Sequence, residues 1–429
     1  KRVLERKENM RGVTIKMDDK IKVKKEMLEF IKPQKIYIPL ENKSGIKYKK
    51  LVNVGDYVFK GQVVAINESI DFPIHSSVSG YVVENESNEL NTGKKVECIV
   101  IENDDKEKYK DKLGSIKEIS NYSKEEFIEL LKTSEITGLG GSDFPTFLKY
   151  NTDSKINYLL VNGVECEPYI SCDKVVMSKY MEKILEAVDA ILEIMKIKKA
   201  YIVVKSSNIE SQKVINKYIN TYPNIKLALM PDMYPAGWER NIVEVVLHKK
   251  YDKYPVEVGA IVSNVSTIYA IYEMLKYNTP LTERIITITG TGIRKPSNIK
   301  VKIGTKLSEI IENIEGYKDI KKPIFIAGGP MMGSSLPNDN LIVTKDLNCV
   351  LVIDDIELTN YPCIKCGKCT NVCPVHLLPV MIMNNIGNEK KLKELMPQKC
   401  IECGLCSYIC PSKIEVREYV RIAKGRVNK

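Results

Sequence analysis

The sequence predicts a multidomain chain that joins α/β and α+β units, and three patterns predict it. Short strands bounded by turns crowd residues 36–101. Strands and helices then alternate between 157 and 277. Eight of the twelve cysteines fall into two copies of one spaced run between 363 and 410. Length alone, 429 residues, suggests about three domains.

Composition narrows the class. The 44% hydrophobic and 28% charged residues are ordinary for a chain that folds in water. The net charge is +10, but the lysines are interspersed with Glu and Asp and no aromatic-interleaved basic stripe occurs. A solvated Lys-rich surface is therefore expected, with no nucleic acid as partner. An acidic protein partner or an anionic membrane face suits the charge better. No run of eighteen apolar residues exists, so no transmembrane segment is expected. Residues 1–25 are charged throughout and are not read as a secretory signal. Free thiols point to a reducing cytoplasm.

Taken in order, residues 1–30 read as an irregular or helical polar arm. Strands are expected at 36–39, 50–54, 62–66, 80–83 and 96–101. The stretch from Val54 to Gln62, with Ser79-Gly80-Tyr81-Val82, resembles the barrel-sandwich hammerhead of biotinyl and lipoyl domains. Asp71-Phe72-Pro73-Ile74-His75 stands near the place of their modified hairpin and holds no Lys, so a scaffold without a swinging arm is expected. His75, alone in that loop, reads as structural rather than as a ligand. Residues 103–123 read as a charged linker. Ser123 and Glu126 form a capping box that opens a helix to about Lys132.

Gly138, Gly140 and Gly141 then let backbone N–H groups approach a phosphate, although a glycine cluster alone equally marks a plain loop. A strand at 157–161 ends in Asn162, Glu165 and Glu167, and polar strand ends are where parallel sheets hold ligands. A helix at 177–196, a strand at 200–205, a helix at 210–218 and a strand at 225–230 continue the alternation. The turn 234–240 leads to another helix, and a strand from 259 ends near Asn264 and Thr267. Strands at 284–290, 298–304 and 323–328, with a helix at 307–314, suggest a β-grasp-like unit. Residues 340–353 read as a connector, and 380–396 as helices between the two cysteine runs. Cys98, Cys166, Cys172 and Cys349 read as buried inert thiols. Trp238 either stacks on a ring or packs its loop.

The cysteine runs carry the firmest chemistry. Each reads Cys-x-x-Cys-x-x-Cys-x-x-x-Cys-Pro, the spacing of bacterial two-cluster ferredoxins. Zinc ribbons use pairs of Cys-x-x-Cys instead. Three closely spaced thiolates wrap one cube, and the fourth cysteine is carried to the other. Cys363, Cys366, Cys369 and Cys410 are assigned to one [4Fe–4S] cluster, and Cys400, Cys403, Cys406 and Cys373 to the second.

With this order of parts the chain resembles the RnfC-like family: the NADH-binding subunit of membrane Rnf complexes and its soluble relatives, some associated with proline reductase. The resemblance covers a hammerhead with its arm (1–102), an α/β domain like the complex I flavin subunit (120–280), an SLBB-like β-grasp (281–345) and a bacterial-ferredoxin-like double [4Fe–4S] domain (354–429). It implies FMN and NADH in the central domain. Gly138, Gly140, Gly141 and Lys149 would hold phosphate. Asn162, Glu165, Asn264 and Thr267 would hold the isoalloxazine and ribityl chain. Phe144, Glu167 and Glu239 would face NADH. It further implies electron flow from NADH through FMN and the clusters to a partner reductase or to Rnf-type membrane subunits. No acid–base residue is implied, and the location is cytoplasmic, including the inner membrane face. One departure is Asp143, where relatives carry Gly; a carboxylate there would repel phosphate. It leaves open an adaptor with a degenerate flavin site in which only the clusters work.

Overall fold

The structure, a computed structural model, describes residues 10–15, 23, 27–28, 31–109, 121–354 and 359–427. Most of the N-terminal arm and the linker residues 110–120 lie outside the described residues. At residues 27–28 a strand, Met27–Leu28, pairs in parallel with Ser297–Lys302.

The first unit is a pair of antiparallel sheets. One runs in the order Lys35–Pro39, Lys95–Asn103, Gly80–Glu89, Tyr57–Val58, and the other Lys49–Lys50, Val63–Asn67, Phe72–His75. Inward positions alternate along the strands and close a core of Ile36, Val58, Val64, Val82, Ile99 and Ile101. Two expectations change here. The strand at 50–54 is confined to Lys49–Lys50, because Leu51 and Val54 stay half-exposed, outside the core. The segment read as a hairpin loop is instead a buried strand, Phe72–His75. Its burial has a partner: the His75 N–H and Nδ1 both meet Glu135 Oε2, at 2.9 and 3.0 Å. Glu135 also pairs with Lys345. Burial, then the Lys345 ammonium, pushes the His75 ring down to about 3, so it is neutral and structural.

The central unit is a four-stranded parallel sheet in the order Ile225–Met230, Lys199–Lys205, Tyr158–Asn162, Ala260–Asn264. Helices Lys124–Thr133, Cys172–Ile194 and Val265–Tyr277 cover one face, and Glu239–Leu247 the other. The first of these opens with the expected capping box. The long helix begins at Cys172, five residues before the expected start, because the Glu165 carboxylate accepts from the N–H groups of Asp173 (2.9 Å) and Lys174 (3.3 Å). The chain leaves Tyr158–Asn162 toward one side of the sheet and returns as Ala260–Asn264 on the other. The crevice beyond these strand ends is the switch point where such sheets take ligands.

The third unit is a mixed sheet in the order Met27–Leu28, Ser297–Lys302, Glu283–Thr289, Cys349–Asp354, Pro323–Ala327, Ser334–Leu336, with helix Leu307–Asn313 packed on it. The residues read as a connector at 340–353 thus contain an inner strand. Val350 and Val352 are fully buried there, and Cys349–Asp354 pairs with strands on both sides. The last unit is helical. Pro379–Asn384, Glu389–Leu395 and Val416–Val427 pack around Leu377, Ile382, Leu392 and Val420, and Cys373 of the first cysteine run joins Cys400 and Cys406 of the second in the same core.

Candidate functional site

The switch point opens into a cavity of about 630 Å³. Gly138, Gly140, Gly141, Lys149, Asn162, Glu167, Glu239, Asn264 and Thr267 all line it. Nine of the eleven expected cofactor residues are therefore brought to one place.

The glycine loop folds back on itself: the Gly138 N–H donates to Phe144 O and the Asp143 N–H to Gly138 O. The Leu139 N–H donates to Thr267 Oγ1 at 2.9 Å. Gly141 takes a φ of +102°, and a Cβ on Gly140 would sit 3.1 Å from Asn264 Nδ2. A side chain would be strained at Gly141 by its left-handed backbone and crowded at Gly140 by the Asn264 side chain. Among the described residues, no hydrogen bond takes up the N–H of Gly140 or Gly141. Free amides on a glycine loop are the chemistry that receives a phosphate.

Asn162 and Asn264 are paired in register at the strand ends. Asn162 Nδ2 donates to Gly237 O at 3.0 Å, which ties the strand end to the turn carrying Trp238 and Glu239. Asn264 Oδ1 caps the next helix, accepting from the Ser266 N–H at 2.8 Å, while its Nδ2 donates to Asp173 Oδ2 at 2.7 Å. Lys149 Nζ donates to Val262 O at 2.9 Å and pairs with Glu239 at 3.2 Å. Trp238 lines the cavity as well, and the Arg240 guanidinium lies over its ring.

Two expected residues lie elsewhere. Phe144 is 44% exposed and does not line the cavity. Glu165 serves the helix start described above, and burial beside Asp173 pushes its carboxyl up to about 8. Glu167 lines the cavity wall but is already engaged. Its carboxylate accepts from the N–H groups of Met331 (3.1 Å) and Met332 (2.7 Å), clasping the 328–333 loop of the mixed sheet. Burial raises its carboxyl to about 7 against the pull of those amides and of Arg417.

Asp143 does not line the cavity. It lines an adjoining pocket between the hammerhead and the mixed sheet, which shares Lys43, Asn91 and Asp346 with the cavity wall. Burial, then the Asp346 carboxylate, lifts its carboxyl to about 7.

Several lining residues escaped the sequence reading. Lys43 and Asn91 of the hammerhead reach the cavity from a distant part of the chain. Lys43 Nζ donates to Gly141 O at 2.5 Å and pairs with Asp346 at 3.0 Å. Asn348 and Gly329 come from the mixed sheet. No local motif marks these residues, since only the docking of the units brings them together.

The cysteines form two rings. Cys363, Cys366, Cys369 and Cys410 line one small pocket. Cys400, Cys403 and Cys406 lie close enough to feel one another's charge and that of Cys373. The N–H groups of Leu377 and Glu402 donate to Cys373 and Cys400 Sγ, both at 3.3 Å, as amides do around cluster sulfurs. Among the described residues, no three His, Cys, Asp or Glu side chains close on a single metal ion. Two open rings of four thiols suit cubes that take one thiolate per iron.

The second ring abuts the cavity. Glu402 lines it, the Tyr234 hydroxyl donates to Cys403 O at 2.7 Å, and Arg417 donates to Met331 O at 2.7 Å. Cys363 and Cys366 are exposed.

A switch-point cavity with a phosphate-type glycine loop, sharing a wall with a two-ring cysteine domain, defines an electron-transfer protein. Residues 131–273 match the model of the Nuo51 FMN-binding domain, 7–106 that of the RnfC barrel sandwich hybrid domain, and 362–414 that of a 4Fe-4S dicluster domain. The C subunit of the ion-translocating oxidoreductase complex of Vibrio cholerae is 33% identical over 357 residues, 81% of this chain and 46% of that relative. The C subunit of the proton-translocating ferredoxin:NAD(+) oxidoreductase complex of Clostridium ljungdahlii is 30% identical over 359 residues, 82% of this chain and 78% of that relative. The chain spans about half the length of the first of these, 46%. The crystal structure of NAD+-reducing [NiFe]-hydrogenase in the H2-reduced state shares the fold, with a TM-score of 0.51, 14% identity, and 72% of this chain and 63% of that chain covered. The air-oxidized state gives a TM-score of 0.52, 12% identity and coverage of 73% and 67%. The chain belongs to the RnfC family. Among the described residues, no helix is long and apolar enough to cross a membrane.

Proposed function

We propose that the chain carries electrons between NADH and a protein partner, with FMN in the cavity and a [4Fe–4S] cluster on each cysteine ring. When bound, FMN exchanges two-electron hydride chemistry for single-electron steps, and the clusters carry electrons singly. The observation that supports this most is the shared wall. Glu402, inside the second cysteine run, lines the same cavity as Gly140, Asn162 and Asn264.

The residues fit their assigned groups. The free amides of Gly140 and Gly141 receive the phosphate, and Lys149 and Lys43 supply positive charge beside it. Asn162 and Asn264 hold the flavin through side-chain amides already fixed by Gly237 and Asp173. Glu239, on the first turn of its helix, and Trp238 form the nicotinamide side. Thr267 fixes the glycine loop through Leu139. Glu167 acts by holding the 328–333 loop against the second ring, so that cavity and cysteines stay in register. Asp143 stands outside the cavity lining, in an adjoining pocket, and this counts against the adaptor with a degenerate flavin site.

The names of the relatives support Rnf-type membrane subunits as the partner. The test is the visible spectrum of anaerobically reconstituted protein. Flavin bands that bleach with NADH, followed by loss of the broad iron–sulfur absorption, are expected. Iron–sulfur absorption alone, with no response to NADH, would refute the reading. Purification free of membrane subunits, together with a cytosolic reductase such as proline reductase, would move the acceptor to that enzyme.

A further inference from the structure

The two cysteine rings have the same spacing but opposite surroundings. The second is walled in: Cys403 and Leu405 are buried against Tyr234 and Met331, and its nearby cation, Lys424, is paired with Glu402 at 2.7 Å. The first is open. Cys363 and Cys366 are exposed, and beside them Ile364 is 67% and Tyr361 60% exposed. Two hydrogen bonds bring the ends of this face together: Tyr361 N–H to Ser412 O at 3.0 Å and Ser412 Oγ to Pro362 O at 2.9 Å. Lys413 thereby joins Lys365 and Lys368 around one ring.

All three lysines are exposed, and among the described residues none has a side-chain hydrogen bond or ion pair. The pocket of the first ring is lined by Lys365 and Lys368 and by no carboxylate. Between residues 359 and 379, and again between 403 and 413, the chain carries no Asp or Glu; the first carboxylate after Lys413 is Glu415. Lysines that only offset the charge of four thiolates could be paired or covered, as Lys424 is. Unpaired lysines framing exposed apolar side chains make instead a small interface with an apolar centre and a charged rim. Redox encounters use small faces of this kind, steered by complementary charge.

We propose that this face docks the carboxylate-rich surface of a protein carrying its own one-electron centre. The proposal rests on the electron-transfer reading above and names the face through which electrons leave or enter. One electron passes from the reduced first cluster to the oxidised centre of the partner, and no bond is made or broken.

The test uses the reconstituted full chain, wild type and Lys365→Glu/Lys368→Glu/Lys413→Glu. Each protein is reduced with dithionite, freed of excess reductant and mixed with oxidised flavodoxin, an acidic one-electron carrier. Chemical reduction keeps the experiment independent of NADH, so a failure of the flavin reading and a failure of this one are separable. The wild-type rate should fall about tenfold or more between low and high salt. The variant, with unchanged cluster absorption, should be slower at low salt by about tenfold or more and nearly salt-independent. The proposal is overturned if the variant keeps the wild-type rate. It is equally overturned if wild-type protein reduces basic cytochrome c faster at low salt than at high salt while flavodoxin shows no salt effect. Loss of binding to anionic phospholipid vesicles in the variant, with flavodoxin reduction unchanged, would assign the face to a membrane and overturn it as well.

Discussion

Asp143→Asn is the most informative single change, because it separates a carboxylate that blocks the flavin phosphate from one that merely strains its own pocket. Asn keeps the size and tolerates the left-handed backbone at φ +53°. If Asp143 stood about 5 Å from a bound phosphate, repulsion at an effective dielectric of 20 would cost about 3 kcal/mol per unit charge, or about a hundredfold in affinity. The side chain lies instead in the pocket of Lys43 and Asp346, so FMN affinity should change by less than about threefold on substitution. Stability should respond. The folded carboxyl titrates at about 7, raised by burial and by Asp346 from 3.8. This group's contribution is fully present below the unfolded value and is lost as pH rises through about 7. The rise corresponds to at most about 4 kcal/mol, and water reaching the half-buried side chain reduces this to about 1–2 kcal/mol. Asn carries no such loss. Denaturant midpoints should coincide for the two proteins near pH 4 and favour the variant at pH 8. An Asn variant that binds FMN ten times more tightly, with no gain at pH 8, would refute the placement of Asp143.

Three further outcomes follow from the same geometry. Glu167→Ala removes the carboxylate that accepts hydrogen bonds from the Met331 and Met332 amides and should cost about 2 kcal/mol; hydrogen exchange at those amides should accelerate, and unchanged protection would contradict the clasp. Cys373→Ser should damage the cluster of the 400–406 run and Cys410→Ser that of the 363–369 run, read by electron paramagnetic resonance of the reduced protein; the reverse pattern would overturn the crossed assignment. Gly140→Ala sets a methyl 3.1 Å from Asn264 Nδ2, so bound FMN should fall at least tenfold with little change in iron content, and full flavin occupancy would show that the close approach is not needed.

The alternation of strands and helices is legible because each parallel strand is buried on both faces and reads as a continuous apolar run, as in Tyr158–Asn162 and Ala260–Asn264. The glycine loop and the strand-end asparagines are legible because their chemistry is local. Failures come where tertiary pairing overrides local pattern. Phe72–His75 holds a Pro and a His, which read as turn residues, yet the Glu135 carboxylate takes both polar groups of His75 and lets the strand be buried. Cys349–Asp354 reads as a connector because it follows turn-rich sequence, and only its two neighbours in the sheet make it a strand. Lys43 and Asn91 are beyond the reach of local pattern, since nothing near them in the chain speaks of a cavity formed some fifty to a hundred residues further on.

The cysteine runs show how a difference in role can hide inside identical spacing. Metal-binding geometry fixes only the cysteines, so the intervening positions are free to report what each ring faces. In the second run they include Ile401, Glu402, Gly404 and Leu405; in the first, Ile364, Lys365, Gly367 and Lys368. Leu405 is fully buried where Lys368 is exposed. A Cβ on Gly404 would meet Met331 O at 2.5 Å, whereas one on Gly367 meets nothing within 4 Å. Both glycines take a left-handed backbone, φ +72° at Gly367 and +78° at Gly404, so the repeat requires Gly in each copy, and packing adds a second requirement only at Gly404. A ring that must pack against Met331 and Tyr234 is the one held at the cavity, and a ring free to carry unpaired lysines is the one left for a partner. The order from cavity to second ring to first ring therefore follows from the residues between the cysteines, to which the ligand spacing is blind.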